Sequence, residues 1–253
     1  MTLASLSGLW WLLACLVPFI FVQRWLHREL QNILLLLTRR PAVTLGLFSL
    51  LFLPGVLLHE ISHLLAARLL WVRTGRFSVI PKALPDGRLR MGYVETAPAG
   101  AIRDALIGAA PLVTGSLLIA YLGANHLGLS ALSTLALQGK WDFSWVWLAA
   151  LPDQPDFWLW FYLAFTISST MLPSASDRRA WLPILTGALI LFALGLLLGA
   201  GPWMIRALAP LANQALHSLA LVFAISLVMH LALLLPMWLL RLLLSRLSGL
   251  RVA

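Results

Sequence analysis

His59-Glu60-Ile61-Ser62-His63 sets two imidazoles four residues apart, with a carboxylate beside the first. On an α-helix, residues i and i+4 share a face, so both rings can be turned toward one point. Neutral imidazoles at that spacing suit a tetrahedral divalent ion, which they reach at about 2.0–2.1 Å when the ion is zinc. A catalytic zinc takes three protein ligands and leaves its fourth position to water, whose pKa it lowers to about 7. Glu60 is turned away from the ligand face but can still reach such a water as general base. His59 and His63 are thus candidate metal ligands, Glu60 is the candidate catalytic base, and one Zn2+ per chain is the expected cofactor. A single histidine on such a helix would read as a packed core residue; two around a glutamate read as chemistry.

The pentapeptide lies inside the apolar stretch Val43–Trp71. Hydrophobic residues make up 61% of the chain and charged ones 11%, so the composition is that of an integral membrane protein. Ionisable groups inside a span cost about 2.5–3.5 kcal/mol each on insertion scales, so three together imply a partner or a purpose. The expected fold is all-α, with about six transmembrane helices forming one membrane-embedded domain over residues 1–253. The predicted spans are Ser5–Phe21, Val43–Trp71, Ala101–Gly123, Phe157–Leu172, Trp181–Ala200 and His217–Leu240, each near the roughly 20 apolar residues a crossing needs. The second is long enough to tilt, or to break at Pro54-Gly55.

The net charge of +9 raises the question of nucleic acid. Arginines are scattered between apolar spans and form no single basic face, which points to membrane orientation and excludes a nucleic-acid partner. Six spans put both termini in the cytoplasm of a bacterial-type cell. Arg73, Arg76, Lys82, Arg88, Arg90, Arg103, Arg178, Arg179, Arg241, Arg246 and Arg251 then face inward, while Arg24, Arg28, Arg39, Arg40, Lys140 and Arg206 fall on the outer side. Trp25–Leu37, mixed polar and apolar, reads as a helix lying on that outer surface. Cys15 is the single cysteine, which excludes a disulfide within the chain and a thiolate zinc site. Leu12-Leu13-Ala14-Cys15 is faintly like a lipoprotein cleavage site, but apolar residues continue past it, as in an uncleaved span.

The third ligand must come from elsewhere. Candidates are Asp86, Asp104, Asp142, Asp153, Asp156, Asp177, Glu95 and the histidines His126, His217 and His230. Helix ends let an aspartate approach a buried metal without being stranded in lipid. Asp177 follows the fourth span, after Pro173, which removes a backbone donor and frees the next residues to curl inward. Its alternative is an interfacial ion pair with Arg178 or Arg179. Asp142, Asp153 and Asp156 flank Trp- and Pro-containing sequence and suit an aqueous loop, and His230 reads as a core histidine.

The helix-borne His59-Glu60-x-x-His63, with a later span ending in a Pro-containing turn that carries Asp177, resembles the site-2 protease family of intramembrane zinc metalloproteases. Gly108-Ala109-Ala110-Pro111-Leu112-Val113-Thr114-Gly115 is similar to that family's Gly-Pro-containing third span. The resemblance covers about residues 43–180. It implies that His59, His63 and Asp177 bind zinc, that Glu60 is the base, and that the substrate is a membrane-embedded or membrane-adjacent protein. Two departures stand out: Asp177 is followed by Arg178 where the family has Gly, and no Asn precedes Pro173. Ser168, Ser169 or Thr170 would have to replace that Asn in holding the substrate backbone.

Arg73–Gly100 is polar and turn-rich. Arg76–Ile80 and Arg88–Glu95 alternate in part with a two-residue period, and Pro85-Asp86-Gly87 between them signals a turn, which predicts a β-hairpin at the membrane surface. An exposed strand could pair with an unwound substrate, or the arginines could simply bind lipid headgroups. The competing function is a non-proteolytic transporter or scaffold whose His/Glu cluster holds metal or protons. A zinc hydrolase acting on lipid or on a prenylated peptide is a nearer alternative. Oligomeric state leaves no mark in the sequence.

Overall fold

The computed structural model describes residues 7–83, 89–130, 146 and 149–250. From α1 (Ser7–Thr38) the chain turns into α2 (Pro41–Leu51) and α3 (Leu53–Leu69). A β-excursion follows, with β1 (Thr74–Ser78), β2 (Lys82–Ala83), β3 (Leu89–Arg90) and β4 (Tyr93–Thr96). Then come α4 (Ala101–Asn125), α5 (Phe157–Thr170), α6 (Trp181–Leu197) and α7 (Gly201–Ser248). Among the described residues, α1, α4 and α7 are long and apolar enough to cross a bilayer, and α2 with α3 makes a fourth crossing if the pair is one broken span. α5 has 14 residues and α6 has 17, so both are short for a full crossing. The helical expectation holds, but length and composition support three or four spans rather than six.

The predicted second span is bent by 67° between α2 and α3. Pro54 sits in the first turn of α3. There its missing N–H costs nothing, whereas a straight helix would lose the bond to residue 50 and bring the ring against that carbonyl. The bend lets α3 pack between α4 and α5. Gly55 permits this, because a Cβ there would stand 2.2 Å from the Thr166 carbonyl oxygen. Tyr162 donates its hydroxyl to the Leu51 carbonyl at 2.9 Å, so α3 and α5 run in the same direction. α4 runs against α3, with Ser62 and Thr114 hydroxyls 2.6 Å apart and Ile107 packing near Ala67 and Val72.

α1 is one continuous helix, and Trp25–Leu37 belongs to it rather than lying apart on the surface. Its buried residues run from Gly8 through Phe19, Leu26 and Ile33 to Leu36. Their partners lie on α7: the Gly8 amide donates to Asn213 Oδ1 at 2.7 Å, and the Phe19 and Phe223 rings lie 5.6 Å apart. Further along, Arg241 Nε donates to the buried Glu29, which also accepts from Trp25 Nε1 at 2.9 Å. Removing one partner from such a buried ion pair typically costs about 3–5 kcal/mol. These matched contacts make α1 and α7 parallel. Ser7 and Ser248 therefore lie at opposite ends of the pair, against the expectation of two termini on one side.

The hairpin is present as two short antiparallel ladders. β1 pairs with β4 in the register Phe77↔Val94 and Ser78↔Tyr93, and β2 pairs with β3. The expected Pro85-Asp86-Gly87 turn lies outside the described residues, as do Asp142 and Asp86 themselves.

Candidate metal centre

His59 and His63 occupy successive turns of α3 on the side facing α4 and the segment after α5. Ser62, between them, donates its hydroxyl to the Leu58 carbonyl at 2.6 Å while touching Thr114. His63 Nδ1 lies 2.8 Å from the Ile107 carbonyl oxygen. A carbonyl can only accept, so Nδ1 carries the proton and Nε2 presents its lone pair inward. This backbone bond fixes tautomer and ring orientation, as is usual for metal-binding histidines.

Asp177 reaches the same point from the far end of α5. Thr170 returns its hydroxyl to the Thr166 carbonyl at 2.9 Å and the Met171 amide closes the last helical bond. Pro173 then stops the helix. The Ser174 amide donates to Asp177 Oδ2 at 2.7 Å, and the Asp177 amide donates back to Ser174 Oγ at 3.3 Å. The loop is pressed onto α4: a Cβ on Gly108 would lie 2.0 Å from the Asp177 carbonyl oxygen, so only glycine lets the chain pass. The Asp177 carboxylate faces His59 and His63, not the neighbouring Arg178 and Arg179 as in the interfacial alternative.

The two Nε2 atoms are 3.1 Å apart, His63 Nε2 is 3.4 Å from Asp177 Oδ1, and His59 Nε2 is 3.7 Å from Asp177 Oδ2. Four-coordinate zinc with bonds of about 2.0–2.1 Å has ligand–ligand edges of about 3.3–3.4 Å. The observed separations, two of which run to different oxygens of the Asp177 carboxylate, are of similar size, and one ligand atom from each residue lies within 4.8 Å of the others. His63 Nε2 and the carboxylate both offer electron pairs, and a shared cation relieves their juxtaposition. The cluster can hold a metal ion.

Glu60 is buried at 7% exposure. The β-excursion comes down on it: a Cβ on Gly92 would lie 2.8 Å from both Cγ and Oε1 of Glu60. Glu60, His59, His63 and Asp177 share the wall of a cavity of about 1570 Å³ with β4, Ser169, Thr170 and residues of α1.

The other candidates are engaged elsewhere. Glu95 accepts from the Arg76 amide at 3.2 Å, and Asp104 accepts from the Ala99 amide at 3.2 Å where α4 begins. His126 stacks on Trp160 at 4.0 Å, and His217 bonds the Asn213 carbonyl at 2.8 Å. Asp153 and Asp156 form the turn before α5. His230 is fully buried between Phe19 and Phe165 and meets Ser169 Oγ at 2.9 Å. Of the three residues considered in place of the missing Asn, Ser168 turns back to the Phe165 carbonyl, while Ser169 and Thr170 line the cavity. Gln23 of α1 lines it too, although nothing in the helix-periodic sequence of α1 marks that residue as belonging to the site. Comparisons with protein-family models, with curated proteins and with solved structures return no match.

Proposed function

We propose that the chain is a membrane-embedded zinc endopeptidase of the site-2 protease type, cutting a peptide bond in a membrane-embedded or membrane-adjacent protein. The observation that carries this reading is the His59–His63–Asp177 cluster, whose ligand atoms lie within 4.8 Å of one another beside a cavity that also holds a buried glutamate. Zinc bound there would supply Lewis acidity toward a scissile carbonyl and toward the attacking water.

The chain's own residues do the rest. Glu60 takes the proton of the water as its oxygen attacks the carbonyl carbon. It returns that proton to the amide nitrogen as the C–N bond breaks, leaving an amine and a carboxylic acid that then gives up its own proton to solvent. Asp177 and the Ile107 carbonyl keep the imidazoles in their liganding orientation. β4, on the cavity wall, offers backbone groups to a substrate whose own helix must unwind before any bond in it can be reached.

The parallel helices place Ser7 and Ser248 on opposite sides. Arg24, Arg28, Arg39 and Arg40 on and after α1 gather at the same end as Arg241 and Arg246 of α7, while Arg73, Arg76, Arg103, Arg178 and Arg179 lie at the other, so cationic residues flank both faces of the bundle. The short α5 and α6 are taken as partial crossings.

Glu60→Gln tests the reaction. Purified in detergent with zinc and given a library of apolar peptides, the variant should keep about one equivalent of metal. Release of new N-termini should fall by about 10²–10⁴-fold. Undiminished release would sink the proposal, and metal flux into liposomes that survives the change would favour the transporter.

A further inference from the structure

The cavity at the metal centre has a wall outside the region of family resemblance. Leu12, Leu16, Ile20 and Gln23 of α1 line it, joined by Leu219 and Phe223 of α7. Spacings of four, four and three residues put the α1 group on one helical face, apolar along its first turns and polar at its end. The three apolar members are only half-buried, whereas Phe19 and Leu26, on the face turned to α7, are fully buried. This face borders the cavity, while Leu13, Val17 and Phe21 beside it are exposed.

Gln23 closes the stripe at 8% exposure, its Nε2 donating to the Ser169 carbonyl at 2.5 Å. Because that partner can only accept, the bond identifies the nitrogen end of the carboxamide. The anchor is itself fixed: Ser169 Oγ donates to His230 Nε2 at 2.9 Å, and His230 Nδ1 donates to the Ser226 carbonyl at 2.7 Å. A chain of bonds across α1, α5 and α7 therefore holds Gln23 rigidly, with its oxygen and second N–H left for whatever enters the cavity.

An extended peptide has hydrogen-bonding groups on both edges. Pairing with β4 serves one edge, and the other needs partners of its own. We propose that α1 forms the second, substrate-receiving wall: Leu12, Leu16 and Ile20 accept apolar side chains of an extended peptide, and Gln23 hydrogen-bonds its backbone on the edge away from β4. The substrate class is then an apolar segment bound in extended form. This rests on the metalloprotease reading above.

Hydroxamates separate the two claims, because their head binds the metal and their extension probes the wall. Acetohydroxamate, acetyl-Leu-Leu-hydroxamate and its analogue with the Leu-Leu amide replaced by an ester are titrated into the zinc-loaded full chain. The readout is the affinity ratio of each extended compound to acetohydroxamate, so a loss of folded protein cancels. In the native chain the dileucyl compound should bind at least about tenfold tighter than acetohydroxamate, and the ester should lose about fivefold of that gain. Gln23→Leu should lose about fivefold for the amide while showing less than a twofold difference between amide and ester. Leu16→Ala should lower the ratio for both compounds alike. A ratio untouched by Gln23→Leu, or an ester penalty that persists in it, overturns the inference even though the metal site stands. Failure of acetohydroxamate itself to bind removes the metalloprotease reading, and this inference with it.

Discussion

Gly108→Ala should cripple the metal centre without touching a ligand. The added Cβ would stand 2.0 Å from the Asp177 carbonyl oxygen, and real contacts of this kind essentially never fall under 3.0 Å. A retreat of at least 1.0 Å is required, the difference between those two distances. Two routes supply it. If the Asp177 loop moves, its carboxylate leaves His59 and His63 by a distance comparable to half a metal–oxygen bond, which is about 2.0–2.2 Å long. If α4 moves instead, the 2.8 Å bond from His63 Nδ1 to the Ile107 carbonyl is lost, and the ring is no longer held. Loss of a supporting contact of this type typically costs about 10–100-fold in metal affinity, and displacement of the carboxylate itself costs more. Zinc affinity, measured in detergent by competition with a fluorescent chelator, should therefore fall by about 100-fold. Gly46→Ala is the control, since a Cβ there meets nothing within 4 Å; it should bind zinc like the native chain. Native-like zinc affinity in Gly108→Ala would refute the packing argument and return Asp177 to the status of one carboxylate among many.

Two further outcomes follow from the same geometry. Tyr93→Pro removes an amide from β4, and should lower peptide turnover by about tenfold or more while zinc content stays near one equivalent; unchanged turnover would count against β4 as a substrate-pairing strand. With Cys15 replaced by Ala, cysteines introduced singly at Ser7 and Ser248 should differ in intact cells, one reacting with a membrane-impermeant maleimide and the other resisting it. Equal labelling of the two would overturn the parallel arrangement of α1 and α7.

What the sequence made legible was local. His59 and His63 converge because the helix repeat alone brings i and i+4 together, and no tertiary contact is needed to foresee it. The β-excursion was readable for the same reason, as alternation interrupted by turn residues. Pro54 marked the place where the second span fails as a straight helix, but not the 67° angle, which depends on how closely Gly55 lets α3 approach α5. Asp177 stood out only because Pro173 ends a helix just before it. Its arrival between two rings more than a hundred residues earlier depends on the gap at Gly108, a contact between α4 and a loop that no periodicity encodes.

The errors have a physical source of their own. Apolar segments counted from hydropathy were each assigned a full crossing, and alternating crossings put both termini on one side. Hydropathy reports transfer into lipid, and it is silent on whether a neighbouring helix or lipid covers a given face. α1 shows the difference: Arg24, Arg28 and Glu29 broke its apolar run and suggested a separate surface helix. In the structure Glu29 is buried against Arg241 and Trp25, so a helix continuing past Phe21 leaves no buried carboxylate unpaired. With the Gly8–Asn213 and Phe19–Phe223 contacts, that pair sets α1 and α7 parallel, so Ser7 and Ser248 lie at opposite ends. This parallel packing replaces the strict alternation of crossings. It also brings the Gln23 face of α1 alongside Ser169 and the cavity, where the 43–180 segment alone would leave the metal centre without its second wall.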